Sequence, residues 1–178
     1  MKHITITGDL GSGKSAVSRL LAQQLGCTVI STGAIQRTIA AEHGMTTLEL
    51  NKYTETHPEI DDLIDSRIKA LADSPELYVI DSRLAWFFLP DSFKVYLTVH
   101  AEVAVERVLG DAARKQTEAY TSRTAAIADL SERKRRENIR FLNYYGADCT
   151  NLSLFDIVVD TSLLTPHEVA TRVVEGYL

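Results

Sequence analysis

Apolar and polar positions alternate at the start of the chain, in His3-Ile4-Thr5-Ile6-Thr7, and then change period, with apolar residues recurring at helical spacing from Ala16 to Leu25. A two-residue period suits a strand and a period near 3.6 a helix, so the pattern predicts a strand and a helix joined by a glycine-rich turn. The same switch recurs down the chain. Cys27-Thr28-Val29-Ile30 reads as a short buried strand ending in the helix-cap sequence Ser31-Thr32-Gly33, which opens a helix from Ile35 to His43 that Gly44 stops. Thr46 to Thr56 and Glu59 to Leu71 read as two more helices, the second with Pro58 in its first turn. The apolar run Leu77-Tyr78-Val79-Ile80 closes on Asp81, and Phe93 to Val99 is another buried strand. Helices follow from Ala101 to about Ala113 and from about Thr117 to Tyr145. A strand from Phe155 to Val159 and a helix introduced by the proline-bearing capping box Thr165-Pro166-His167-Glu168 close the chain.

Five strands alternating with helices predict an α/β fold, a five-stranded parallel sheet with helices on both faces. Ligands of such a sheet lie beyond the carboxyl ends of its strands. The polar residues that end the first three strands therefore face one cleft: the glycine-rich turn, Ser31-Thr32-Gly33, and Asp81-Ser82-Arg83. Gly8-Asp9-Leu10-Gly11-Ser12-Gly13-Lys14-Ser15 fits the Walker A pattern G-x-x-x-x-G-K-[ST] and stands between a strand and a helix, as a phosphate-binding P-loop requires. Gly8, Gly11, Ser12 and Gly13 supply a backbone that turns its N–H groups onto phosphate oxygens, aided by the helix N-terminus. Lys14 reaches the outer phosphates and Ser15 offers a hydroxyl to Mg²⁺, while Asp9 points its carboxylate away from the anion. Asp81, ending an apolar run, has the Walker B arrangement and is expected to hold Mg²⁺, through water, opposite Ser15. Arg83 and Arg37 are candidates for binding a second phosphate, for which a planar fork suits better than an ammonium.

Composition narrows the class without changing this picture. The chain has 178 residues, enough for one domain with a single core, and its net charge of −5 argues against binding a nucleic-acid duplex through a broad basic surface. Cys27 and Cys149 are far apart and beside no histidine pair, which fits a reduced, cytoplasmic setting and core-filling roles. No apolar run is long enough to span a membrane, and the first strand begins too early to leave room for a signal peptide. A single chain acting alone on small molecules is the expectation.

One basic cluster, Ser131 to Arg140, requires a helical reading. At about 100° per residue Arg133, Arg136 and Arg140 fall at roughly 0°, 300° and 340°, opposite Ile139, Leu142 and Tyr145. Lys134 and Arg135 lie roughly 100° and 200° from Arg133, in the places of solvated charges. A stripe of arginines is either solvent surface or the wall of an anionic cleft.

Taken together, Gly8 to Ser15, Ser31-Thr32-Gly33 with Arg37, Asp81 with Arg83, and the arginine-bearing segment after Arg107 resemble the nucleoside monophosphate kinase superfamily of P-loop kinases. Gly44-Met45, Asn51-x-Tyr53, His57-Pro58-Glu59-Ile60-Asp61, Asp65, Arg67, Arg140-Phe141, Tyr145-Gly146, Asp148 and Leu154-Phe155-Asp156 extend that resemblance to the short, archaeal-type cytidylate kinases, over almost the whole chain. The resemblance implies a phosphotransferase that uses ATP and Mg²⁺ and accepts CMP or dCMP. It also implies a core (residues 1–31, 73–107 and 136–178), a helical acceptor-binding insert (32–72) and a mobile lid (about 108–135). By the same analogy Ser31, Gly33, Arg37 and Arg83 hold the acceptor monophosphate, Asp61 and Asp65 read the cytosine edge, and Arg107, Arg133 and Arg140 clamp the triphosphate. The chain departs from the family in having Ala34 after Ser-Thr-Gly in place of an acid, Ser82 in place of a glycine, and Asp111 in place of a lid arginine, for which Arg114 and Arg123 are the replacements at hand. The alternatives are a kinase of the same fold acting on AMP, UMP or a small alcohol, and a nucleotide-binding relative without catalysis.

Overall fold

Ile4 and Ile6 are wholly buried, and so are Thr5 and Thr7 between and beyond them. The alternating strand is thus covered on both faces, as a parallel sheet with helices on each side requires. Its polar positions are satisfied internally: Thr5 Oγ1 lies 3.1 Å from Ser92 Oγ, and Thr7 Oγ1 donates to the Arg83 carbonyl at 3.2 Å. This strand, β1 (Ile4–Gly8), is the centre of a five-stranded sheet with β2 (Thr28–Ser31), β3 (Tyr78–Asp81), β4 (Phe93–Thr98) and β5 (Ile157–Asp160). The order is β2-β3-β1-β4-β5 and every neighbouring pair is parallel. The computed structural model describes residues 2–45, 47–54, 56–110 and 122–178.

Helices α1 (Lys14–Leu25) and α8 (Pro166–Tyr177) cover one face of the sheet, packing Val17, Leu21, Val169 and Val173 on Ile4, Ile6, Val95 and Leu97. The cap of α8 forms as its sequence predicts, Thr165 and Glu168 each accepting from the other's backbone N–H, with Pro166 in the first turn. On the opposite face Ile80 packs on Ile68, Ala85 and Leu89, and Tyr96 on Trp86, Cys149 and Phe155. Helices α2 (Thr32–Glu42), α3 (Thr47–Thr54) and α4 (Pro58–Lys69) gather Ile39, Ala40, Leu50, Ile60 and Ile64 into an apolar cluster of their own. Helices α6 (Ala101–Gly110) and α7 (Arg123–Tyr145) pack together over Leu10, through Val105, Val108, Ala126 and Leu130.

The last strand and α7 differ from their predicted form, and two short helical segments were not predicted. The last strand begins at Ile157, because Phe155 turns aside to pack its ring on Trp86 and Tyr96 (centroids 5.1 and 5.0 Å) and the Asp156 carboxylate accepts the Lys94 N–H at 2.7 Å. Short helix α5 (Ala85–Phe88) and a 3-10 turn at Leu152–Leu154 carry too few residues for a period to emerge. The expected helix ends near Ala113 and Thr117 fall outside the described residues, and α7 starts at Arg123, with Ser122 accepting from the Ala125 N–H at 3.1 Å.

Gly8 allows the tightest backbone approach in the sheet. Its φ is +143°, and a Cβ placed there would lie 2.2 Å from the Leu97 carbonyl oxygen of β4. Gly8→Ala is expected to destabilise the protein by more than about 3 kcal/mol, because β1 and β4 would have to part. Thr165→Ala, which removes only a helix cap, should cost about 1 kcal/mol. Urea unfolding of both variants beside the parent protein measures the contrast.

Candidate active site

The loop that follows β1 is held by its backbone before any side chain contributes. Asp9 N–H donates to Leu97 O at 2.9 Å, and Gly11 lies so near Ala104 of α6 that a Cβ would come within 2.8 Å of its carbonyl oxygen. Gly13 is the N-cap of α1, so Lys14 and Ser15 stand in that helix's first turn. Lys14 Nζ curls over the loop and donates to Gly8 O at 3.0 Å and Asp9 O at 2.8 Å. Ser15 Oγ donates to Asp81 Oδ2 at 2.7 Å, and Asp81 itself is only 9% exposed. Strand register explains this meeting: Asp81 is paired with Ile6 of β1 on one side and Ser31 of β2 on the other. The ends of three strands thus bring the loop, Ser31 and Asp81 into one cleft, as their polar termini predict.

Around Ser31 the chain folds back on itself. A Cβ placed on Gly33 would lie 3.6 Å from Arg37 Nη1 and 3.7 Å from Ser31 Oγ, so the arginine lies over the first turn of α2 beside the serine. Ser31 is the N-cap residue of that helix but makes no side-chain cap, and the Thr32 hydroxyl is buried with no hydrogen-bond partner, so the predicted cap is one of backbone shape only. Arg83 is positioned through its own carbonyl, which accepts from Trp86 Nε1 at 2.9 Å and from Thr7 Oγ1. Its guanidinium is ion-paired with Glu137 of α7. Ser82 is buried and accepts the Leu84 N–H at 3.4 Å; Ala34 is exposed on α2.

Helix α7 presents a different face to the site from the one its arginines mark. Leu130, Lys134, Glu137, Phe141 and Tyr145 follow the spacing of a helix stripe that faces the site; of the expected apolar face Ile139, Leu142 and Tyr145, only Tyr145 packs inward, and Ile139 and Leu142 are 44% and 50% exposed. The reason is tertiary: two polar members of the inward stripe meet oppositely charged partners in the loops that follow β1 and β3. Lys134 Nζ lies 2.6 Å from Asp9 Oδ1, so this charge, expected to be merely solvated, is ion-paired although its side chain is 45% exposed. Asp9 is turned into the scaffold, accepting also from Tyr96 OH at 3.0 Å and the Val99 N–H at 3.2 Å. Burial and the Asp9 carboxylate together push the Tyr96 phenol far above its usual range. Thr7, Gly8, Arg83, Lys134, Asn138 and Phe141 line a small cleft in this region, with room of about 20 Å³. Cys149 also lines it, its thiol pushed up to about 11, chiefly by burial.

The remaining arginines separate. Arg107 of α6 is bound at the loop, donating to Thr161 O at 2.7 Å, Thr161 Oγ1 at 3.0 Å and Gly11 O at 3.4 Å. Arg133 lies 4.0 Å from Asp129 of its own helix; Arg135 and Arg136 are exposed and share Glu132. Arg140 is ion-paired with Asp61 of α4. One turn along α4, buried Asp65 accepts from the Tyr145 hydroxyl; burial raises this carboxyl's pKa and the hydrogen bond pulls it back. Arg123 donates to Glu106 Oε1 at 2.7 Å on the outside of α6, and Asp111 and Arg114 lie outside the described residues.

Glu137 and the Tyr96 hydroxyl take part in this network without having been singled out from sequence, and so do Lys134, read there as a solvated charge, and Tyr145, read as part of an apolar face. The signal for Lys134 and Glu137 was available in the spacing from Leu130 to Phe141, where two charges occupy inward positions of a helical period. Among the described residues no three His, Cys, Asp or Glu side chains gather as a metal cluster, and no helix is long and apolar enough to cross a membrane.

Comparison with known proteins accords with this geometry. The cytidylate kinase of Sulfurisphaera tokodaii is 37% identical over 177 residues, 98% of this chain and 94% of that one. The S-adenosylmethionine-dependent nucleotide dehydratase of Lacinutrix mariniflava is 34% identical over 175 residues, 98% of this chain but 35% of that protein. Among solved structures, the shikimate kinase of Bacteroides thetaiotaomicron superposes with a TM-score of 0.70 at 14% identity, covering 98% of this chain and 97% of its own, a likeness of fold alone. The sequence profile of the cytidylate kinase-like family matches residues 3–163, a span that takes in the phosphate loop, the α2–α4 cluster and all of α7, and the chain belongs to that family of P-loop kinases.

Proposed function

We propose that the protein is a nucleoside monophosphate kinase that moves the γ-phosphoryl group of ATP onto CMP or dCMP, releasing ADP and the nucleoside diphosphate. The observation that carries this reading is the pairing of two anion-binding groups at neighbouring strand ends. Lys14, Ser15 and the loop N–H groups follow β1; Arg83, Ser31, Gly33 and Arg37 follow β3 and β2. An acceptor phosphate oxygen attacks Pγ from the Arg83 side, the Pγ–O bond to ADP breaks, and no side-chain nucleophile is needed. Catalysis of this kind rests on positioning and on cations placed where charge spreads over the transferring oxygens.

Within the proposal the loop and Lys14 hold the β and γ phosphates, and Arg107, tied to Thr161, and Arg133 serve the donor side. An acceptor phosphate competes with Glu137 for Arg83, which suits a guanidinium that exchanges one bidentate anion for another. The Ser15 hydroxyl and Asp81 carboxylate, 2.7 Å apart, are oxygen donors of the kind a hard cation takes. These two groups would hold Mg²⁺, Asp81 through water, and the cation would supply neutralising charge at the outer phosphates. The α2–α4 cluster corresponds to the acceptor insert, with Asp61 accepting from the exocyclic amine of cytosine and Asp65, buried and held by Tyr145, supporting it from below, and the segment around 108–135 to the lid.

An ADP-release assay with ATP and Mg²⁺ over CMP, dCMP, UMP, AMP and shikimate tests the reading: turnover should be greatest with CMP or dCMP. Lys14→Ala is expected to lower kcat by about a hundredfold or more, with the circular dichroism spectrum unchanged. Arg83→Lys should raise the acceptor KM strongly and leave the KM for ATP within about twofold, because lysine keeps the charge and loses the fork. Lys134→Met releases the Asp9 carboxylate that anchors the loop, so kcat/KM for ATP should fall by about tenfold or more, whereas Arg135→Ala should change it by less than about threefold. Equal effects of the last two would show that Lys134 is a surface charge like its neighbour.

A further inference from the structure

Two polar links join α4 to the end of α7, and they lie at different depths. Asp65 with Tyr145 forms the inner one, the Asp65 residue being 7% exposed. Asp61 with Arg140 forms the outer one, with side chains 21% and 54% exposed. The four groups are close enough that Asp61 acts electrostatically on both Asp65 and Tyr145, and Arg140 on Tyr145. A carboxylate has about four acceptor sites and a guanidinium five N–H donors, so their mutual contact leaves both with capacity for a further partner. What this edge of α4 offers is therefore an acceptor beside a donor, open to solvent, over a closed polar floor.

We propose that Arg140 is a specificity-determining residue of the acceptor pocket, reading the base jointly with Asp61, and not a clamp on the triphosphate. The inference rests on the acceptor reading given above. The edge of an aminopyrimidine runs amine donor, ring-nitrogen acceptor, carbonyl acceptor. Asp61 accepts from the amine, and the Arg140 fork donates to the ring nitrogen and the carbonyl. A uracil ring turns a carbonyl toward the carboxylate and an N–H toward the guanidinium, which leaves two like-to-like contacts in place of two hydrogen bonds. Sites built to hydrogen-bond a substrate group discriminate strongly because their own polar groups are otherwise left unmatched. Asp61 alone accepts an amine; Arg140 adds the demand for acceptors next to it.

The test measures kcat and KM for CMP, UMP and ATP in the full-length protein and in Arg140→Met, which keeps an apolar stem. The CMP-to-UMP ratio of kcat/KM should fall by about twentyfold or more, while the KM for ATP stays within about twofold. A raised KM for ATP, or an equal loss of kcat with both acceptors at an unchanged ratio, would overturn the proposal and return Arg140 to the transferring phosphates. A second variant separates base reading from a mere strut between helices. Asp61→Arg combined with Arg140→Asp restores an ion pair of reversed sense: if the pair is only a strut, selectivity returns with the melting temperature, and the inference fails. On the proposal the melting temperature recovers and the CMP preference does not. Should the parent protein phosphorylate neither pyrimidine, the acceptor reading itself falls and this inference with it; a CMP-selective parent whose selectivity survives Arg140→Met overturns the inference alone.

Discussion

Where β1 ends, Gly8 lies so close to Leu97 of β4 that no side chain fits between them, and the Asp9 N–H closes the gap by donating to the Leu97 carbonyl at 2.9 Å. The next residues must therefore turn over the edge of the sheet, and Gly11 settles against Ala104 in the same way. Everything else in the site is measured from that turn. It sets the first turn of α1 above the end of β3, which is why Ser15 and Asp81 meet at 2.7 Å. It also aims the Asp9 carboxylate into the scaffold, where Tyr96, the Val99 N–H and Lys134 hold it.

The second organising feature is the way α7 crosses the open end of the sheet with charge on its inward stripe. Lys134 takes Asp9, Glu137 takes Arg83, and Arg140 reaches across to Asp61 of α4. A helix buried by apolar contacts alone would be indifferent to what the loop and the acceptor insert do. This one is attached by ion pairs to the phosphate loop, to the arginine after β3 and to the insert. Such pairs exchange partners for phosphate at modest cost where they are partly exposed, which couples the placement of α7 to the anions in the cleft.

Much of the fold and part of the site are legible in the order of residues. Five strands, their parallel arrangement, the P-loop between β1 and α1, and the convergence of Ser31 and Asp81 follow from local periodicity and the rule that parallel strands end together. The capping box of α8 is equally local, since all its bonds lie within four residues. These features depend on contacts between near neighbours in sequence or on backbone geometry common to every parallel sheet, so the chain alone determines them. The tertiary structure decided which charges of α7 face inward. Helical spacing put Ile139 and Leu142 on one apolar face with Tyr145, and Lys134 among the solvated charges; in the structure only Tyr145 of that face packs inward, and Lys134 and Glu137 are ion-paired, with Asp9 and Arg83, which lie 125 and 54 residues away in the chain. For the same reason the pairing of Arg140 with Asp61, across 79 residues, has no trace in helical spacing, since only the packing of α7 beside α4 brings the two together.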